Sequence, residues 1–147
     1  MTPTLWGRWQ TRLLLLATVG LLITLGFGVV FANFVTPLAL LGYVLLLGFG
    51  WDVLYQSLQS LRWDRDWPPL FMVMGGLLEA LLLWGLIKAD FVWAGLGLTG
   101  LPGVDPGLTL MQFALHYGTV FTMMFFIMLG PMRVLFLKWR FRGGQFF

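Results

Sequence analysis

The chain has 147 residues, 59% hydrophobic and 10% charged, with a mean hydropathy of +0.88; that balance excludes an ordinary soluble globular domain and leaves room for little beyond membrane spans and short connections. It contains no cysteine, which excludes disulfides, thiolate zinc sites, iron–sulfur ligation by this chain alone and c-type haem attachment. The net charge of +3 resides in basic residues that flank apolar runs, a membrane-protein pattern rather than a nucleic-acid-binding patch.

Met1 to Arg12 is polar and carries Arg8 and Arg12 with Trp6 and Trp9 at interfacial spacing, as expected of a cytoplasmic lead-in. Leu13 to Ala32 is an apolar run of about 20 residues, which at about 1.5 Å per residue crosses a hydrocarbon core of about 30 Å. It exceeds a signal-peptide core, and Phe31-Ala32-Asn33 is a poor cleavage site, so a retained first span over 13–32 is expected. Gly20, Thr24, Gly28 and Ala32 recur at every fourth position. Small side chains on one such stripe let a neighbouring helix approach closely. Asn33 to Thr36 forms a tight turn, and Pro37 suits the first turn of a second span over 37–57. Asp52 lies near the end of that span beside Trp51, Tyr55 and Gln56. Two readings stay open for it: interfacial depth, or pairing with a basic residue on a neighbouring helix or subunit.

Leu58 to Pro68 holds Arg62, Asp64, Arg65 and Asp66 between Trp63 and Trp67, as expected of a solvated loop anchored at the interface. Pro68-Pro69 opens a third span over 69–88, with Glu79 near its middle. An ionised, unpaired carboxylate at that depth costs on the order of several kcal/mol, so Glu79 must be protonated, hydrogen-bonded or turned toward protein or water. Gly75, Gly76 and Ala80 beside it predict a closely packed neighbouring helix. Lys88 and Asp90 close the span, and Phe91 to Gly107 reads as a turn-rich connection on the membrane surface. The fourth span, over 108–132, meets a kink or a stop at Gly130-Pro131. Within it Gln112, His116, Thr119 and Met123 share a narrow sector, a polar stripe inside the membrane. The tail, 133–147, combines Lys138, Arg140 and Arg142 with Trp139 and Phe146-Phe147; it belongs at an anionic lipid surface or against a partner protein.

Charge asymmetry sets the expected topology. With both termini cytoplasmic, Arg8, Arg12, Arg62, Arg65, Arg133, Lys138, Arg140 and Arg142 all lie inside and Lys88 alone lies outside, satisfying the positive-inside rule. The expected fold class is an all-α integral membrane protein, one domain over 1–147, with four transmembrane helices as two antiparallel hairpins and cytoplasmic N- and C-termini. The expected location is a bacterial inner or a thylakoid membrane.

Depth arithmetic places Glu79 near the midplane and His116 about 12 Å from the start of its span, so the two can face each other. Such a pair serves either as a hydrogen-bonded structural lock or as a proton relay, with Gln112 and Thr119 beside it. A third reading has His116 as an axial ligand to haem or to a chlorophyll magnesium; a second histidine is missing, so another chain, water or a non-histidine group would complete that site. Met124, Met128 and Met132 recur at every fourth position, a pattern of helix-packing thioethers more than of a Cu(I) path. The short, cysteine-free chain rich in Trp, Phe and Gly resembles, in composition alone, small subunits of respiratory and photosynthetic complexes. That resemblance carries no functional residue.

The leading expectation is a small non-enzymatic accessory, assembly or stabilising subunit of a larger membrane complex, in contact with other membrane subunits and lipid and not with nucleic acid. The alternative is a homo-oligomeric transporter or proton or ion channel using Glu79 and His116. Helix packing is expected at Gly20, Thr24, Gly28, Gly75 and Gly76, and interfacial or lipid contact at Arg62, Arg65, Lys138, Trp139, Arg140 and Arg142.

Overall fold

A computed structural model describes residues 3–89 and 100–146. Asp90 and most of the expected turn-rich connection, through residue 99, lie outside the described residues. Four helices are long and apolar enough to cross a membrane: α1, Leu5–Val30; α2, Val35–Ser60; α3, Pro69–Lys88; and α4, Leu110–Leu129. Two short helices follow, α5, Pro131–Leu135, and α6, Leu137–Phe141. Among the described residues there is no strand. The chain is thus an all-helical, multi-pass integral membrane protein.

Helix α1 begins eight residues before the expected start at Leu13. The Thr4 hydroxyl accepts from the Gly7 amide at 3.1 Å and caps the helix, and the polar residues of its first turns find partners inside the protein, so the helix need not end where the apolar run does. A π-helical turn, Leu16–Gly20, interrupts α1. Both Leu16 and Gly20 face the interior there, as such turns re-aim the side chains that follow.

Gly20, Thr24 and Gly28 are buried, and a side chain at Gly28 would collide with the Phe34 ring. The predicted stripe therefore packs, but it stops short of Ala32, which is exposed and adopts a φ of 49° in the turn. Asn33 Oδ1 accepts from the Val35 and Thr36 amides at 2.9 and 3.3 Å, so α2 starts two residues before Pro37 and runs three residues past 57. Helix α3 keeps the predicted bounds, with Pro69 in its first turn. Helix α4 is capped by Thr109 and ends at Leu129, because Gly130 leaves helical geometry at φ −106°, ψ −93°.

The outer surface is apolar: Leu22, Val29, Val30, Leu81 and Met111 are all exposed, as lipid-facing side chains should be. The interior mixes large apolar side chains such as Leu40, Leu83 and Phe113 with buried polar ones, Thr24, Asp52 and His116 among them, and with glycines that admit close contacts. Gly76 leaves room for the Phe121 ring, and the Tyr117 hydroxyl donates to the Gly76 carbonyl at 2.8 Å. At one end of the bundle the tail folds back on α1. Thr4 N–H donates to Gly143 O at 2.8 Å, Phe146 N–H to Gln10 Oε1 at 2.8 Å, and Trp139 Nε1–H to Thr11 Oγ1 at 2.7 Å.

Candidate functional site

The centre of the site is Arg12. From α1 its guanidinium reaches Asp52 of α2 through Nε–Oδ2 at 2.9 Å and Nη2–Oδ1 at 3.0 Å. It also reaches Glu79 of α3 through Nη1–Oε2 and Nη2–Oε1, both at 3.3 Å. Both carboxylates are thus met in bidentate fashion, the geometry that a planar five-donor fork favours. All three side chains are nearly withdrawn from solvent, at 15%, 5% and 11% exposure for Arg12, Asp52 and Glu79. Buried charges are tolerated only when they find opposite charge and hydrogen bonds, and here each carboxylate takes two hydrogen bonds from the shared guanidinium.

Helix placement explains why these three residues meet. Counted outward from the turn at Asn33 and Phe34, Arg12 and Asp52 differ in depth by about three residues, or about 4–5 Å, within the reach of an arginine side chain. Gly48 supplies the space: a side chain there would collide with the Arg12 guanidinium. Gly75 does the same for Tyr55, whose ring lies across it. The Tyr55 hydroxyl is buried close to Glu79 without meeting hydrogen-bond geometry.

A second arginine stands nearer the bundle end. Arg8 Nη2 donates to Gln59 Oε1 at 2.7 Å, and its guanidinium stacks over the Trp67 ring at 4.8 Å. Its Nε is buried with no hydrogen-bond partner among the described residues. Arg133, just beyond α4, has a buried Nε in the same condition.

Glu79 and His116 are not joined. Glu79 takes Arg12, whereas His116, 2% exposed, faces α1: its Nε2 lies 3.0 Å from Thr24 Oγ1, with the Phe27 ring edge-on at 5.4 Å. The predicted glycine stripe thus contains the histidine's partner. Gln112 is not part of an internal polar stripe; it completes a capping box with Thr109 at the start of α4. Thr119 is exposed on the outer face.

Arg62 pairs with Asp64 at 2.9–3.0 Å in the loop after α2 and lies over the Phe71 ring, and this contact holds the Asp64 carboxyl down to about 2. Arg65 takes a positive φ of 51° in the same loop. Of the basic aromatic tail, Lys138, Arg140 and Arg142 are exposed, but Trp139 is 3% exposed and packs with Leu15 and Met132. Trp139 is therefore a buried anchor, because its indole N–H finds Thr11 inside the protein rather than the headgroup layer.

Glu79, His116, Arg12 and Tyr117 line one cavity of about 180 Å³ within the bundle, together with Arg8, Arg133 and the apolar side chains Met72, Phe121, Met124 and Phe125. Among the described residues no group of three or more His, Cys, Asp or Glu side chains is placed to hold a metal ion. Sequence reasoning missed Arg12, Arg8 and Arg133 because basic residues flanking apolar runs read as interfacial. The signal available was Asp52, an acid inside a span in need of a base. Comparison with known protein families, with curated proteins and with solved structures finds no match.

Proposed function

We propose that this chain is a small non-enzymatic membrane subunit that stabilises a larger membrane complex, set in the membrane as two antiparallel hairpins with its N- and C-termini on the cytoplasmic side. The observation that carries the reading is the double bidentate clamp of Arg12 on Asp52 and Glu79. It ties three spans together through one guanidinium that meets both carboxylates. Four of the five guanidinium N–H donors are engaged in it, an arrangement that holds helices in place rather than passing a proton along. The buried tail adds a second tie, fixing residues 139–146 on the first turns of α1.

An energy-transducing membrane, bacterial inner or thylakoid, is the setting consistent with the chain's composition. Extraction of a tagged chain from its native membrane in mild detergent, followed by native sizing and mass spectrometry, tests the reading. Reproducible co-isolation with other membrane subunits is expected. A lone monomer, free of any co-isolating chain, overturns it.

A second reading, a homo-oligomeric transporter or proton channel, is favoured by one observation: Glu79 and His116 line the same cavity although they do not touch. Proton flux into liposomes that is lost in both Glu79→Gln and His116→Ala supports it; flux that is absent, or unchanged by both substitutions, sinks it.

A further inference from the structure

The cavity wall is chemically mixed. Arg8, Arg12 and Arg133 contribute three guanidinium groups, against the carboxylates of Asp52 and Glu79. One positive charge is therefore left over among the lining side chains. Arg12 is consumed by the two acids. The excess falls on Arg8 and Arg133, each with a buried Nε–H that no described group accepts. Those Nε atoms are closed off, but both residues line the cavity, and a guanidinium with no carboxylate of its own calls for an anionic acceptor. The rest of the wall, with Met72, Phe121, Met124 and Phe125, presents flexible thioethers and aromatic faces, surfaces suited to a hydrocarbon chain.

We infer that this cavity holds the headgroup end of one monoanionic membrane lipid, its phosphodiester or equivalent acidic group accepting from Arg8 and Arg133 and the first methylenes of one acyl chain lying against the Met72–Phe121–Met124–Phe125 wall, with the rest of the lipid outside. Sequence position agrees with that assignment: Arg8 lies five residues before the apolar run that begins at Leu13, about 7–8 Å along the helix axis on its polar side, as a headgroup contact requires. A single leftover charge matches a lipid of charge −1, and basic pockets between spans are a recognised way to hold acidic headgroups. The site goes beyond the stabilising role proposed above and does not depend on any partner chain.

The test is native mass spectrometry of the full chain in a non-ionic detergent, titrated with dioleoylphosphatidylglycerol, with dioleoylphosphatidylcholine, or with inorganic phosphate. One phosphatidylglycerol is expected to be retained about tenfold more strongly than phosphatidylcholine, and phosphate should not displace it. Equal retention of the two lipids, or displacement by phosphate, overturns the proposal, the latter by showing a site for a small free anion. The Arg8→Gln, Arg133→Gln double variant should lose the preference, whereas Arg140→Gln, an exposed arginine outside the cavity, should keep it. If the double variant fails to fold, Met128→Trp, which fills the cavity without altering charge, is expected to abolish phosphatidylglycerol retention; undiminished binding there overturns the site.

Discussion

The Arg12 guanidinium occupies the space that Gly48 leaves by having no side chain: a Cβ at position 48 would collide with Nη1 of Arg12. The fork lies against bare backbone on its way to Asp52 and Glu79. Gly48→Ala should therefore push Arg12 off its carboxylates and destabilise the chain by on the order of 1–3 kcal/mol. Gly42→Ala, where an added Cβ meets nothing within 4 Å, should be neutral or slightly stabilising. Thermal unfolding of both variants in detergent checks the contrast, and equal effects would show that Arg12 does not need the gap.

Removal of Arg12 alone leaves two buried carboxylates without their base. Arg12→Met should cost about 3–5 kcal/mol. Replacing the whole set together, with Arg12→Met, Asp52→Leu and Glu79→Leu, should recover most of that loss, since no buried charge is then left unpaired. A triple variant no more stable than the single one would contradict the assignment of this cluster as a structural clamp. Arg12→Lys should rescue poorly, because a single ammonium cannot meet two carboxylates in bidentate fashion.

His116 depends on Thr24. Thr24→Val keeps the shape of the side chain but removes the hydroxyl 3.0 Å from Nε2, leaving a buried ring nitrogen without this partner at a cost of about 1–3 kcal/mol. Thr24→Ser should retain most of the stability. The histidine ring resonances in an NMR spectrum of the full chain should move in the valine variant and stay near their native positions in the serine variant.

Docking of the tail rests on Trp139 and on Gly7. Trp139→Phe removes the indole donor to Thr11 and should cost about 1 kcal/mol, while Trp139→Ala should release residues 137–146 to protease. Gly7→Ala should act in the same direction, since a Cβ there would collide with the backbone at Gly143 and Gly144. Limited proteolysis at Lys138 and Arg142 reads both. Protection equal to that of the native chain would mean the tail is held by something else.

The Arg62–Asp64 pair makes the loop after α2 sensitive to acid. The Asp64 carboxyl is lowered from 3.8 to about 2 by the hydrogen bond from Arg62, so the folded loop binds its proton less readily than the unfolded one does. Its contribution is therefore present above the unfolded value and is lost as pH falls through the folded one. An NMR titration of the Asp64 side chain should show a midpoint near 2, and Arg62→Gln should move that midpoint back toward 3.8.

Membrane residence and the number of spans were legible because they depend on additive properties: a run of apolar side chains about 20 residues long announces itself whatever lies beside it. The bounds of α3 and the packing of Gly20, Thr24 and Gly28 were legible for the same reason, since helix periodicity alone puts small residues on one face. Pairing is a different matter. Glu79 had to have a partner, but its depth matched His116 as well as it matched any long basic side chain, and the sequence carries no rotation angle for a helix. Arg12 was hidden because its side chain reaches several ångströms from its Cα, so a residue that reads as membrane-flanking lies with its charge well inside the bundle. Trp139 was hidden likewise, its amphipathic ring being equally at home in the headgroup layer and in a buried contact with Thr11. Which glycine gap meets which side chain, Gly48 with Arg12 or Gly75 with Tyr55, follows from how the four helices are rotated and tilted against one another, and that is settled by packing among residues far apart in the chain.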